Sequence, residues 1–85
     1  MNKQHHEIKC ETQYFQEVEK GNKTFAVIKN DRDYKVYDQV VLIETVNGVP
    51  IGRESKQYTI SYVTDFPDGI KEGYVVFSLA DYVKL

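Results

Sequence analysis

One segment alone carries helical spacing, and the point where it stops decides what the rest of the chain can become. Gln13-Tyr14-Phe15-Gln16-Glu17-Val18-Glu19-Lys20 puts Phe15 and Val18 at i, i+3, a narrow apolar stripe, with Thr12 suited to the N-cap. Glu11 stands at the positive end of this helix and Lys20 at the negative end, each matching the helix dipole. Gly21 fits the C′ position, where a left-handed residue ends a helix without a Cβ clash. So short a helix does not hold alone in water, so its stripe must pack on a sheet built by everything else.

Both flanks read as strands. His5-His6-Glu7-Ile8-Lys9-Cys10 alternates, with His6, Ile8 and Cys10 on one face and His5, Glu7 and Lys9 on the other; the residues before His5 read as a polar, frayed start. The adjacent histidines near Cys10 do not make a metal site, because strand neighbours point to opposite faces and no second ligand cluster follows. Residues 23–29 alternate again, Thr24, Ala26 and Ile28 against Phe25, Val27 and Lys29. That strand empties into Lys29-Asn30-Asp31-Arg32-Asp33 and then Tyr34-Lys35-Val36-Tyr37-Asp38, so the stretch from Gly21 to Asp38 is where a site is sought first.

The later chain is strand and turn. Val40-Val41-Leu42-Ile43-Glu44-Thr45-Val46 reads as a central strand, Asn47-Gly48 as a tight hairpin turn, and Val49-Pro50-Ile51-Gly52-Arg53 as a return strand whose proline belongs at an edge or bulge. Residues 57–65 read as a strand with Tyr58, Ile60 and Tyr62 inward and Thr59 and Ser61 outward. Phe66-Pro67-Asp68-Gly69 is a turn by composition, Tyr74 to Leu79 a last interior strand, and Ala80 to Leu85 a tail with a few apolar residues.

With 85 residues, the chain (1–85) is expected to be one domain, since halves of it could not bury a core. Seven Tyr and four Phe without a Trp must fill much of that core. The pattern predicts an α+β, mainly β architecture: a five- to six-stranded, mostly antiparallel barrel with one helix between the first two strands. Closure removes exposed edges. A split αβ sandwich of ferredoxin type is the competitor, but a second amphipathic helix is missing. The single cysteine forms no internal disulfide, and no apolar run suits a signal peptide or membrane span, which predicts a cytoplasmic protein. A net charge of −2 and a pI near 5.6 argue against strong non-specific nucleic-acid binding.

From His6-Glu7-Ile8-Lys9 through Tyr14-Phe15 and Val18 to Gly21-Asn22-Lys23-Thr24-Phe25 and Lys29-Asn30-Asp31-Arg32-Asp33-Tyr34, the sequence resembles a family of small bacterial and phage domains of unknown function in the ASCH branch of the PUA-like superfamily. Val36-Tyr37-Asp38 stands where those domains usually carry Val-Gly-Asp, Ile51-Gly52-Arg53 matches their Thr-Gly-Arg in two letters, and Gly69-Ile70-Lys71-Glu72-Gly73-Tyr74 resembles their closing Gly-Leu-Lys-x-Gly-Tyr. The resemblance spans nearly the whole chain. It implies a PUA-like pseudo-barrel and an RNA-related role, because ASCH and PUA-like domains are associated with RNA or modified nucleosides. Some ASCH proteins are amidohydrolases of an acetylated cytidine that use lysine, threonine and glutamate beside the helix. Lys23 and Thr24 are kept here and Glu44 offers a carboxylate, but Ala26 and Ile28 occupy the two positions where the ASCH pattern has Glu-x-Arg.

The expected binding residues are Lys23, Lys29, Asn30, Asp31, Arg32, Tyr34 and Arg53. In one reading, Lys29 and Arg32 reach phosphate or a base edge and Asn30 reads a hydrogen-bonding edge, with Tyr34 and Tyr37 available to stack. In the other, Asn30 and Asp31 make turn bonds and Arg32 pairs with Asp33 or Asp38. The expected function is binding of RNA or a nucleotide-like ligand in a cleft between helix and barrel, without catalytic residues, metal, cofactor or membrane. Two alternatives stand beside it: an ASCH-type amidohydrolase of a modified nucleoside, and a protein-interaction module of phage or host regulation using the sheet edge near Pro50.

Overall fold

A computed structural model describes residues 3–81. Strand β1 (His5–Glu11) leads into helix α1 (Thr12–Glu19), followed by β2 (Phe25–Lys29), β3 (Gln39–Val46), β4 (Val49–Glu54), β5 (Tyr58–Thr64) and β6 (Tyr74–Asp81). The strands form one sheet in the order β1-β3-β5-β6-β2, with β4 on β3. Among the described residues only β1 and β3 run parallel; the other pairs are antiparallel. The mainly β, mostly antiparallel sheet with the helix between its first two strands is as the sequence pattern predicted; it curls into a half-barrel rather than closing.

Packing explains the curl. The helix presents Phe15 and Val18 to a core made of Ile8, Val40, Leu42, Ile60 and Phe77, all buried. Phe15 is the most consequential of these, since truncating a buried phenylalanine costs about 3–5 kcal/mol. The helix ends at Gly21, whose φ of +80° lets the amides of Gly21 and Asn22 turn back onto the carbonyls of Val18 and Glu17 at 3.0 Å. Asn47 and Gly48 both take positive φ, 51° and 80°, the signature of a type I′ hairpin turn. With Val46 and Val49 closing that turn, Thr45 and Pro50 form the non-hydrogen-bonded pair, so the proline nitrogen faces the free edge and the ladder loses no donor.

Several expectations are corrected. Thr12 does not cap the helix: Glu11 holds the N-cap position with no side-chain cap, and the Thr12 hydroxyl donates to Oε2 of Glu44 instead. Tyr62 points outward at 63 % exposure, because β5 gains one residue between Ile60 and Tyr62 relative to β6. The bulge reverses the alternation, and Val63 takes the inward place opposite Phe77. Thr59 is buried rather than outward in water, its hydroxyl donating to Oε1 of Gln39 at 3.1 Å. Ala80 and Asp81 extend β6, and the rest of the expected tail lies outside the described residues.

Tyr37 sits at φ +77°, a left-handed conformation that costs a residue with a Cβ about 1–2 kcal/mol. This is the position where the resembling domains carry glycine. The strained turn delivers Asp38 inward, where its carboxylate accepts from His6 Nε2 at 2.9 Å, the Lys35 amide at 3.1 Å and the Gln4 amide at 3.2 Å. Both side chains are buried, so this pair fastens the 30–38 loop to β1 from inside.

Candidate ligand-binding seam

Strand order leaves a gap. β1 and β2 are the two ends of the curled sheet and are not paired with each other, so the half-barrel is left open along the seam between them. Beside the helix start the seam widens to a hollow of about 490 Å³ walled by Ile8, Cys10, Tyr14, Lys23 and residues 26–28. Further along, towards the 30–34 loop, a broader hollow of about 760 Å³ is bordered by Lys9, Lys29, Asp31, Arg32 and, from β3 and β4, Ile43 and Glu54. Ile8, Lys9 and Ile28 line both, so the two hollows adjoin.

Lys23 stands at the helix end of the groove, its Nζ donating to the Phe25 carbonyl at 2.7 Å and lying 4.8 Å from the Phe25 ring centre and 5.8 Å from that of Tyr14. Partial burial pushes its pKa down, against the raising effect of Cys10. Burial in turn pushes the Cys10 thiol up, which leaves it a poor nucleophile.

The charged loop divides its work. Asn30 Oδ1 accepts the Tyr34 amide at 3.2 Å and its own amide donates to Gly73 at 2.9 Å; the Asp31 amide donates to Lys29. The first is the expected side-chain turn bond; the other two are backbone to backbone. The expected pairing of Arg32 is corrected: it donates to the Glu7 carbonyl at 2.8 Å and so reaches across the seam to the open edge of β1. Asp33 pairs with Lys35 and Asp38 with His6. Arg32 is exposed and uses one of its donors in this latch, so the others face solvent beside Lys29.

Of two further expected residues, Tyr34 borders the broader hollow but is buried, and Arg53 lies elsewhere. Tyr34 is 4 % exposed, its ring edge-on to His6 at 4.6 Å and tilted against Phe77 at 5.1 Å, so the ring is core and has no face free for stacking. Its hydroxyl is buried without a partner among the described residues, and burial raises its pKa. Arg53 lies on the other flank of the helix, with Nε 3.5 Å from Glu44 and a terminal nitrogen 3.9 Å from Glu19. It balances the charge of Glu44, a carboxylate only 2 % exposed. Among the described residues no hydrogen bond or ion pair is seen between Lys23 and Glu44, though both act electrostatically on Cys10; the Thr24 carbonyl accepts the Leu79 amide.

Sequence reading missed two polar anchors. One is His6–Asp38, for which the only local signal was a histidine on the inward face of a strand. The other is Glu11, whose carboxylate receives the Thr45 hydroxyl and the amides of Asn47 and Gly48 at 2.8 and 2.9 Å, tying the end of β1 to the hairpin tip. The Thr45 hydroxyl, then the Gly48 amide, lower its pKa. Among the described residues no group of His, Cys, Asp and Glu is placed to hold a metal, and no helix is long and apolar enough to cross a membrane.

The described residues form a one-helix, six-stranded half-barrel with an open, mixed-charge seam. The chain belongs to the family described as a domain of unknown function, DUF3850, which matches residues 5–79. It is also similar to an uncharacterized 12.9 kDa protein in the GpA 3′ region of Escherichia phage P2, at 39 % identity over 71 residues. That match covers 84 % of this chain and 63 % of the phage protein, so the chain spans somewhat under two-thirds of its relative.

Proposed function

We propose that this is a PUA-like, ASCH-related binding domain that holds a nucleotide-like ligand, or the end of a single RNA strand, in the seam between β1 and β2. The observation that carries the reading is the row of cations along that seam: Lys23 at the helix end, Lys9 in the middle, and Lys29 and Arg32 at the loop. An apolar floor of Ile8, Ala26 and Ile28 runs beneath them. Cations above an apolar strip suit a ligand with a phosphate and a flat or sugar face.

Charge balance limits the ligand's size. Glu7, Glu11, Asp31 and Glu54 also border the groove, as many carboxylates as cations, and the chain as a whole is acidic. A long polyanion gains affinity by releasing counterions at many phosphates, which needs excess positive charge. A ligand with one or two phosphates needs only the local pair Lys29 and Arg32. The ASCH resemblance supports a nucleoside-like ligand, and Ala26 and Ile28 at the positions of the ASCH charges favour binding over hydrolysis.

The test is an amide titration of isotope-labelled protein with a short single-stranded RNA and with mononucleotides, at low and then physiological salt. Saturable shifts at Lys9, Lys23 and residues 29–33, weakened about fivefold or more by Lys29→Ala/Arg32→Ala, are expected; the loss of one or two charged contacts accounts for that factor. Absence of shifts at low salt, where phosphate contacts are strongest, overturns the proposal.

A further inference from the structure

Beyond Lys29 the surface opens into another hollow that the seam itself does not use. Lys29 is the cross-strand partner of Tyr74, and past this pair the 65–73 connection folds back to enclose about 510 Å³ between Phe66, Pro67, Ile70 and Tyr74 on one side and Asn30 on the other. The enclosure is held by its own backbone. The Gly69 and Ile70 amides donate to the Phe66 carbonyl at 2.8 and 2.6 Å, the Tyr74 amide donates to Lys71 at 3.0 Å, and Gly73 accepts from Asn30. Phe66 is 59 % exposed, yet its ring is set: a Cβ on Gly69 would meet it at 2.8 Å, so the ring lies directly on the glycine backbone. An aromatic ring held against the backbone at the edge of a hollow, with more than half its surface in water, is suited to stacking.

The polar groups decide which guest. A backbone N–H can only donate, so the Asn30 atom that meets the Tyr34 amide is the oxygen. That fixes the side-chain amide and leaves its Nδ2 hydrogens as the group Asn30 can offer a ligand, which must therefore bring an acceptor. Asp65 and Glu72 share the rim with Lys71, whose ammonium lies 5.6 Å from the Tyr74 ring centre. The rim is thus net negative, and a phosphate is not the group that belongs here. Lys29 and Arg32, on the groove side of Asn30, are where a phosphate finds cations.

We infer that the hollow between Phe66, Tyr74 and Asn30 is a nucleobase subsite. A flat heteroaromatic ring stacks on Phe66 and accepts a hydrogen bond from Asn30 Nδ2 through a carbonyl or ring nitrogen, while its ribose and phosphate run back towards Lys29 and Arg32. This rests on the seam being a nucleotide site and names the part of the ligand that lies outside it.

Ribose 5-phosphate, which has the sugar and phosphate but no base, separates the two claims when titrated beside AMP, CMP, GMP and UMP. At least one mononucleotide is expected to shift the Phe66, Ile70 and Tyr74 amides together with residues 29–33 and to bind at least fivefold more tightly than ribose 5-phosphate, in keeping with the stacking energy of one base. Phe66→Ala removes that difference and leaves ribose 5-phosphate binding unchanged. Asn30→Asp, which keeps the acceptor for Tyr34 and removes the donor, weakens the mononucleotide more than ribose 5-phosphate. Equal binding of ribose 5-phosphate and all four nucleotides, with shifts confined to the seam, overturns the base subsite and leaves the seam reading standing. No shift with any probe overturns both.

Discussion

Replacing Asp38 by alanine tests what holds the charged loop in place. The carboxylate is buried and accepts three hydrogen bonds, from His6 Nε2 and the amides of Lys35 and Gln4. Truncation leaves those donors without their acceptor in a site that water does not reach freely, and breaking a buried pair in this way costs about 3–5 kcal/mol. A domain of 85 residues has a total stability of roughly 4–13 kcal/mol at 0.05–0.15 kcal/mol per residue, so the loss is a large share of the whole. Each kcal/mol moves the melting temperature of a domain this size by about 4–8 °C, so Asp38→Ala is expected to melt at least about 12 °C lower by circular dichroism. The pH dependence has a definite sign. Burial alone would raise the Asp38 pKa, but the His6 hydrogen bond and the two amides outweigh it and hold the folded-state value below the ordinary one. The contribution is therefore complete above the unfolded value of about 3.9 and is lost as pH falls through the lower folded value, so wild type and variant converge only in strong acid. A melting temperature within about 4 °C of wild type, with no convergence on acidification, refutes the role given to this pair.

Three further outcomes follow from local geometry. Tyr34→Phe removes a buried hydroxyl that has no partner among the described residues and raises stability by about 1 kcal/mol, read as an upward shift in the same melt, while leaving nucleotide binding unchanged. Tyr37→Gly relieves the left-handed strain and is neutral to stabilising, whereas Tyr37→Val, β-branched at φ +77°, loses about 1–2 kcal/mol by chemical denaturation. Glu11→Ala frees the hairpin tip, so the Asn47 and Gly48 amides exchange faster with deuterium. In wild type their protection declines as pH falls through the Glu11 pKa, which the Thr45 hydroxyl and hairpin amides hold below the ordinary value.

What could be read in the letters was what depends on neighbours in sequence. Phe15 and Val18 on one helical stripe, Gly21 at its end and Asn47-Gly48 between strands are each fixed within a few residues, and the half-barrel followed from one short helix among strands. Tyr62 failed because a bulge is decided by pairing between β5 and β6, and no local alternation records an inserted residue. Thr12 and Arg53 were misjudged for a related reason. Both answer to Glu44, whose burial is a tertiary fact, and a long-range partner outcompeted the local cap and the solvated rim. His6–Asp38 and Glu11 with the hairpin tip join residues 32 to 37 apart, so neither pairing carries a sequence signal. Of the candidate residues, Lys23, Lys29, Asp31 and Arg32 line the seam and Asn30 the neighbouring hollow; Tyr34 borders the seam from the core, and Arg53 lies on the far side of the helix.

A crystal structure of the domain soaked with a mononucleotide at millimolar concentration tests the seam most directly. Density with the phosphate beside Lys29 and Arg32 and the remaining ligand along the β1–β2 gap is the expected result. Density confined to the outer face of β4 or to the Arg53 flank, or an empty seam at a concentration that saturates binding in solution, contradicts it.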